Sequence, residues 1–73
     1  MNTSIRNLQI EDTVKYEYYG ETFEGGVKEV RQCYTSYKTW FVFTTCGHCV
    51  SVDINGQPVD YNGYSCKIIE ITK

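Results

Sequence analysis

Turn-forming residues break this 73-residue chain at short intervals: Gly20, Gly25-Gly26, Gly47, Asn55-Gly56, Pro58 and Asn62-Gly63. The runs between them are rich in Val, Ile, Thr and aromatic residues, the composition of strands bounded by tight turns. This pattern predicts an all-β chain with strands near Thr13–Tyr19, Gly26–Tyr34, Thr39–Cys46, Cys49–Ile54 and Cys66–Thr72. An irregular crossing is expected through Gly56–Ser65, and Ile5–Ile10 fits either a helical turn or another short strand. Residues 1–73 read as one domain, at a size where a single core is marginal and a metal, disulfide or partner often adds stability.

Five short strands in so small a chain fit a strongly bent, partly open barrel better than a two-layer sandwich, which takes about 100 residues. The run DTVKYEYYGETFEGGVKEV, Asp12 to Val30, resembles the opening of SH3-like barrels, including the KOW kind, in which a G/D-x-V strand, a loop and a G-x-V-x-x-V strand recur. The resemblance covers about the first half of the chain and implies a small five-stranded SH3-like barrel. It implies no particular function, because that fold hosts many.

Charge narrows the function classes. The formal net charge is −2, and the seven basic residues are scattered from Arg6 to Lys73, so the clustered Lys and Arg that duplex nucleic acid requires are missing. Glu11, Asp12, Glu17, Glu21, Glu24 and Glu29 fall in one stretch against only Lys15 and Lys28, which predicts a mildly negative surface suited to a basic partner. No apolar run reaches membrane-spanning length, and the polar start MNTSIRNLQ lacks the apolar core of a secretory signal. The expected location is therefore cytoplasmic, where four cysteines tend to be reduced, metal-bound or redox-active.

Two of those cysteines flank the only histidine in the stretch TTCGHCVSV, Thr44 to Val52. A two-residue Gly47-His48 turn would set Cys46 against Cys49, Thr45 against Val50, Phe43 against Val52 and Phe41 against Ile54. That register buries Phe41, Phe43, Val50, Val52 and Ile54 and puts Trp40, Val42, Thr44 and both thiols on the opposite face. Three readings of the tip stay open: a zinc site, a redox pair, or a plain turn. For zinc, the candidate ligands are Cys46, Cys49, His48 and Cys66. Pairing Val30 with Phe43 and Cys33 with Trp40 would hold Cys33 roughly 20 Å from the tip. Cys33 and Cys66 suit the role of small core hydrophobes better than the tip pair does.

Catalysis has little support in the pattern: the acids show no paired spacing distinct from ordinary surface charge, there is no phosphate-cradling glycine motif, and no pocket or oxyanion donor is implied beside His48 and Cys49. Aromatic residues are more informative. Of seven tyrosines, Tyr16 and Tyr18 share the period-two face of Val14 and are expected in the core, while Tyr34, Tyr37, Trp40, Tyr61 and Tyr64 fall near the loops at one barrel end. Tyrosine and tryptophan dominate binding hot spots. The expected partner-binding set is Tyr37, Trp40, Tyr61 and Tyr64 with Glu17, Glu21 and Glu24 on the acidic flank. A tiny, acidic, Tyr-rich domain resembles in style the small phage and mobile-element proteins that block host machinery, anti-CRISPR inhibitors among them. That resemblance implies stoichiometric occlusion of a larger host protein without turnover. The alternative is a single-stranded nucleic-acid module of the KOW or zinc-knuckle kind, with bases stacking on Tyr37, Trp40 and Tyr64.

Overall fold

Tyr19 and Gly20 both adopt positive φ, 51° and 88°, which is the backbone of a two-residue hairpin turn whose twist matches that of its strands. In the computed structural model, which describes residues 3–59 and 66–73, this turn joins β1 (Thr13–Tyr18) to β2 (Glu21–Gln32). The remaining strands are β3 (Trp40–Thr44), β4 (Cys49–Val52) and β5 (Cys66–Thr72). All pairings are antiparallel, in the order β4-β3-β2-β1-β5, and the sheet curls strongly into a half-barrel. Ile5–Asn7 forms one turn of 3-10 helix, capped by the Ser4 side chain.

The 12-residue β2 belongs to both halves of the sheet. Glu21–Gly26 pairs with β1, and Val27–Gln32 pairs with β3. Gly25-Gly26, expected to separate two strands, lies instead inside one, where β2 changes partner. The β3–β4 hairpin tip reaches back onto this bend: Thr45 donates its amide to the Gly26 carbonyl at 2.9 Å, and a Cβ on Gly25 would come within 2.9 Å of Cys46 Sγ. Glycine here lets the hairpin tip close on the strand.

The core matches the alternation expected of β1, with Val14 and Tyr16 fully buried and Tyr18 packed at its edge. Val27, Ile68, Val50 and Val52 join them from the other strands, and Ile5 and Leu8 cover one end. The open seam between β4 and β5 is bridged by irregular backbone. Ile5 donates its amide to Ile54 O at 2.9 Å, and Ile68 donates to Gly56 O at 2.8 Å.

The β3–β4 register corrects the expected one. Phe43 opposes Cys49, Val42 opposes Val50, Phe41 opposes Ser51 and Trp40 opposes Val52. Thr44 donates its amide to His48 O at 2.9 Å, so the loop is Thr45-Cys46-Gly47, with Gly47 at φ 86° as the left-handed residue of a bulged three-residue turn. The shift from a two-residue to a three-residue loop turns β3 over relative to β4. Val42 and Thr44 are therefore buried, at 0 % and 1 % exposure, while Phe41 and Phe43 sit half-buried on the outer face. The β2–β3 pairing moves with it: Val30 faces Val42 rather than Phe43, and Gln32 rather than Cys33 faces Trp40.

Candidate protein-binding surface

The loop between β2 and β3, residues 33–39, carries the most exposed aromatic residues described. Tyr34 is 98 % and Tyr37 75 % exposed. Their backbone is nonetheless tied down. Cys33 donates its amide to Thr39 O and Thr39 donates to Ser36 O, both at 2.9 Å. Gln32 Nε2 adds a 2.8 Å bond to the Tyr37 carbonyl. A tethered loop spends little ordering entropy when its aromatic side chains dock, which suits it to recognition.

Beside the loop, on the outer face of β2, β3 and β4, Phe41 and Phe43 floor an apolar groove of about 320 Å³ that Tyr34, Arg31 and Cys33 wall. The Arg31 guanidinium carbon stands 6.0 Å from the Phe43 ring centroid, and its Nε donates to Glu29 Oε2 at 2.7 Å. Sequence patterning missed this surface because period two assigns faces only once the register is known. Its one legible signal was the loop Cys-Tyr-Thr-Ser-Tyr-Lys-Thr between two β-rich runs.

Trp40 is half-buried and packs against the core, on the face of Val42 and Val52. Tyr61 and Tyr64 lie outside the described residues. The acidic residues do not form an uninterrupted patch. Lys15 sits between Glu24 on β2 and Glu70 on β5, and Glu17 opposes Lys67, so the outer face of this half carries alternating charges. Glu21 and Glu24 are exposed, and Glu17 is half-buried.

The four cysteines differ in exposure. Cys46 at the hairpin tip is exposed, its thiol 3.6 Å from the Glu24 carbonyl. Cys49 lies half-buried opposite Phe43, and Cys66 is buried at the start of β5. Cys33 departs from its expected core role and is half-exposed at the groove. Among the described residues, no group of three or more His, Cys, Asp or Glu side chains is placed to hold a metal ion.

His48, the remaining expected ligand, is engaged elsewhere. Its ring stacks on Tyr18 at 4.3 Å and tilts against Phe23 at 4.5 Å. Its Nδ1 is 2.6 Å from the Tyr16 hydroxyl, which is also 3.0 Å from Thr44 Oγ1. One phenol thus ties β1 to both sides of the β3–β4 turn. Burial pushes the Tyr16 phenol above its usual range; the Thr44 hydrogen bond works against that rise, and nearby Cys46 adds to it.

Thiol chemistry differs just as clearly. The Thr35 hydroxyl, 3.1 Å from Cys33 Sγ, pulls that thiol below its usual range, helped by the Thr35 and Ser36 amides. Burial, then the neighbouring Cys66, pushes Cys49 up. Iodoacetamide at neutral pH is therefore expected to alkylate Cys33 well ahead of Cys49 and Cys66, because the thiolate is the reactive form. Peptide mass spectrometry over a time course checks this, and earlier labelling of Cys49 would contradict it.

Among the described residues no helix is long and apolar enough to cross a membrane. No family model matches the chain, and no curated protein or solved structure matches it either.

Proposed function

We propose that this chain is a non-enzymatic protein-binding module, an SH3-like barrel of the phage or mobile-element style, that inhibits a larger host defence or nucleic-acid-processing protein by occluding it. The supporting observation is the pair Tyr34 and Tyr37, exposed on a loop whose backbone is hydrogen-bonded in place. Tyrosines anchor interfaces because they bury much area with few rotamers to freeze and keep a hydroxyl for water or a partner. The exposed Glu21 and Glu24 add acidic character at the β1–β2 hairpin for a basic host surface. Inhibition by occupancy needs no turnover.

The test uses bacteria whose CRISPR–Cas system destroys a targeted plasmid. Co-expression of the chain is expected to restore plasmid retention. Truncating an interface anchor typically costs about 2 kcal/mol, roughly 30-fold in affinity. The Tyr34→Ala, Tyr37→Ala double variant should therefore lose protection while its thermal unfolding midpoint stays near that of the parent. Absence of protection by the parent chain, or full protection by the double variant, overturns the reading.

A further inference from the structure

Strand β3 presents two phenylalanine rings that the fold leaves half uncovered. The register sets Glu29, Phe43 and Cys49 in one row across the outer face, and Arg31, Phe41 and Ser51 in the next. Directly opposed residues share a face, so these side chains form a small lattice: opposite charges on β2, rings on β3 and small groups on β4. The Arg31 and Glu29 side chains are 66 % and 46 % exposed, so their ion pair stands open to exchange.

We propose that this face binds a second copy of the same chain, outer sheet against outer sheet. The two-fold axis lies between the sheets, perpendicular to β3, and passes between the Phe41 and Phe43 rows. A two-fold interface must be complementary to itself, with each residue meeting the partner of its own mate. Rotation about this axis sets Glu29 over Arg31 of the second copy and Arg31 over its Glu29. The same rotation sets Phe43 over the second Phe41, and Cys49 over the second Ser51. The intrachain Glu29–Arg31 pair thereby becomes two interchain pairs flanking a double ring contact. An axis along the strands would set both charges over small groups, and the pairing would be lost. The outer face of β1 and β5, with Lys15, Glu17, Lys67 and Glu70, offers charges without rings.

Small domains often gain their missing core from such association. The sheet curls away from this outer face, which confines contact to the central rows, so the interface falls in the small, weak class. The Tyr34–Tyr37 loops would lie at opposite ends of the dimer, so one dimer presents two partner-binding loops.

Sedimentation equilibrium over a wide concentration series tests the pairing. The average mass is expected to rise from the 8.5 kDa of one chain toward twice that value. Arg31→Glu gathers four carboxylates at the axis and should leave monomer throughout, and Phe43→Ser should do the same. The double exchange E29R with R31E restores the complementarity and should restore association. Circular dichroism melts confirm that each variant is folded. A monomer at every concentration, a dimer indifferent to Arg31→Glu and Phe43→Ser, or no rescue by the double exchange overturns the proposal. A polythymidylate oligonucleotide bound by the parent chain and released by Phe43→Ser would also overturn it, assigning the face to single strands. Tyr37 is exposed and does not line the groove, so Tyr37→Ala alone should dimerise like the parent while weakening host inhibition, and failure of the host-inhibition reading and failure of this one are read separately.

Discussion

Val42→Asp is expected to abolish folding, whereas Phe43→Ser, one position along the same strand, leaves a folded domain. Val42 has no exposed surface and sits between Val30 and Val50. A carboxylate there has no partner and either stays charged in an apolar site or takes up a proton at a cost, so a loss of about 4 kcal/mol or more follows. A domain of this length holds roughly 4–11 kcal/mol in total, which makes such a loss close to the whole. Phe43 is half-buried on the outer face, and truncating it forfeits only part of its apolar contact, about 1 kcal/mol. Thermal unfolding by circular dichroism separates the cases. A stable Val42→Asp chain beside an unfolded Phe43→Ser chain would mean that β3 faces the other way.

Tyr16→Ala is the second large effect, an expected loss of about 3–5 kcal/mol, because Tyr16 is the largest fully buried side chain among the described residues and its removal opens a cavity. Tyr16→Phe separates the ring from the hydroxyl. The ring keeps its packing on Phe23, at 5.8 Å between centroids, while Thr44 Oγ1 and His48 Nδ1 lose a shared partner, for an expected cost of about 1–3 kcal/mol. The pH dependence has a definite sign. Burial raises the folded phenol above its ordinary value of 10.0, so its contribution is complete below that pH and declines as the solution becomes more alkaline through the raised value. Chemical denaturation at neutral and strongly alkaline pH should show a smaller alkaline loss for Tyr16→Phe than for the parent. Equal losses would mean that the Tyr16 phenol is not the titrating group.

Much of the fold is legible in the sequence. Turn residues and β-rich runs placed five strands, and the observed β5 has the expected bounds, Cys66–Thr72. Alternation on β1 correctly assigned Val14, Tyr16 and Tyr18 to the inner side. These are local properties: propensity, turn chemistry and a period of two act within a few residues and survive without knowledge of the neighbours.

Tertiary structure decided everything that depends on pairing. Cys46-Gly47-His48-Cys49 accommodates either a two-residue or a three-residue turn, and Thr45 docking its amide on Gly26 O accompanies the longer one. That single choice turned β3 over, put Val42 and Thr44 in the core and sent Phe41 and Phe43 to the surface. It also placed His48 against Tyr16, Tyr18 and Phe23, residues at least 25 positions away along the chain. A sequence specifies which residues alternate along one strand. Which side of that alternation becomes core is set only when a second strand, joined through the turn and held by the bend at Gly25-Gly26, supplies the partner surface.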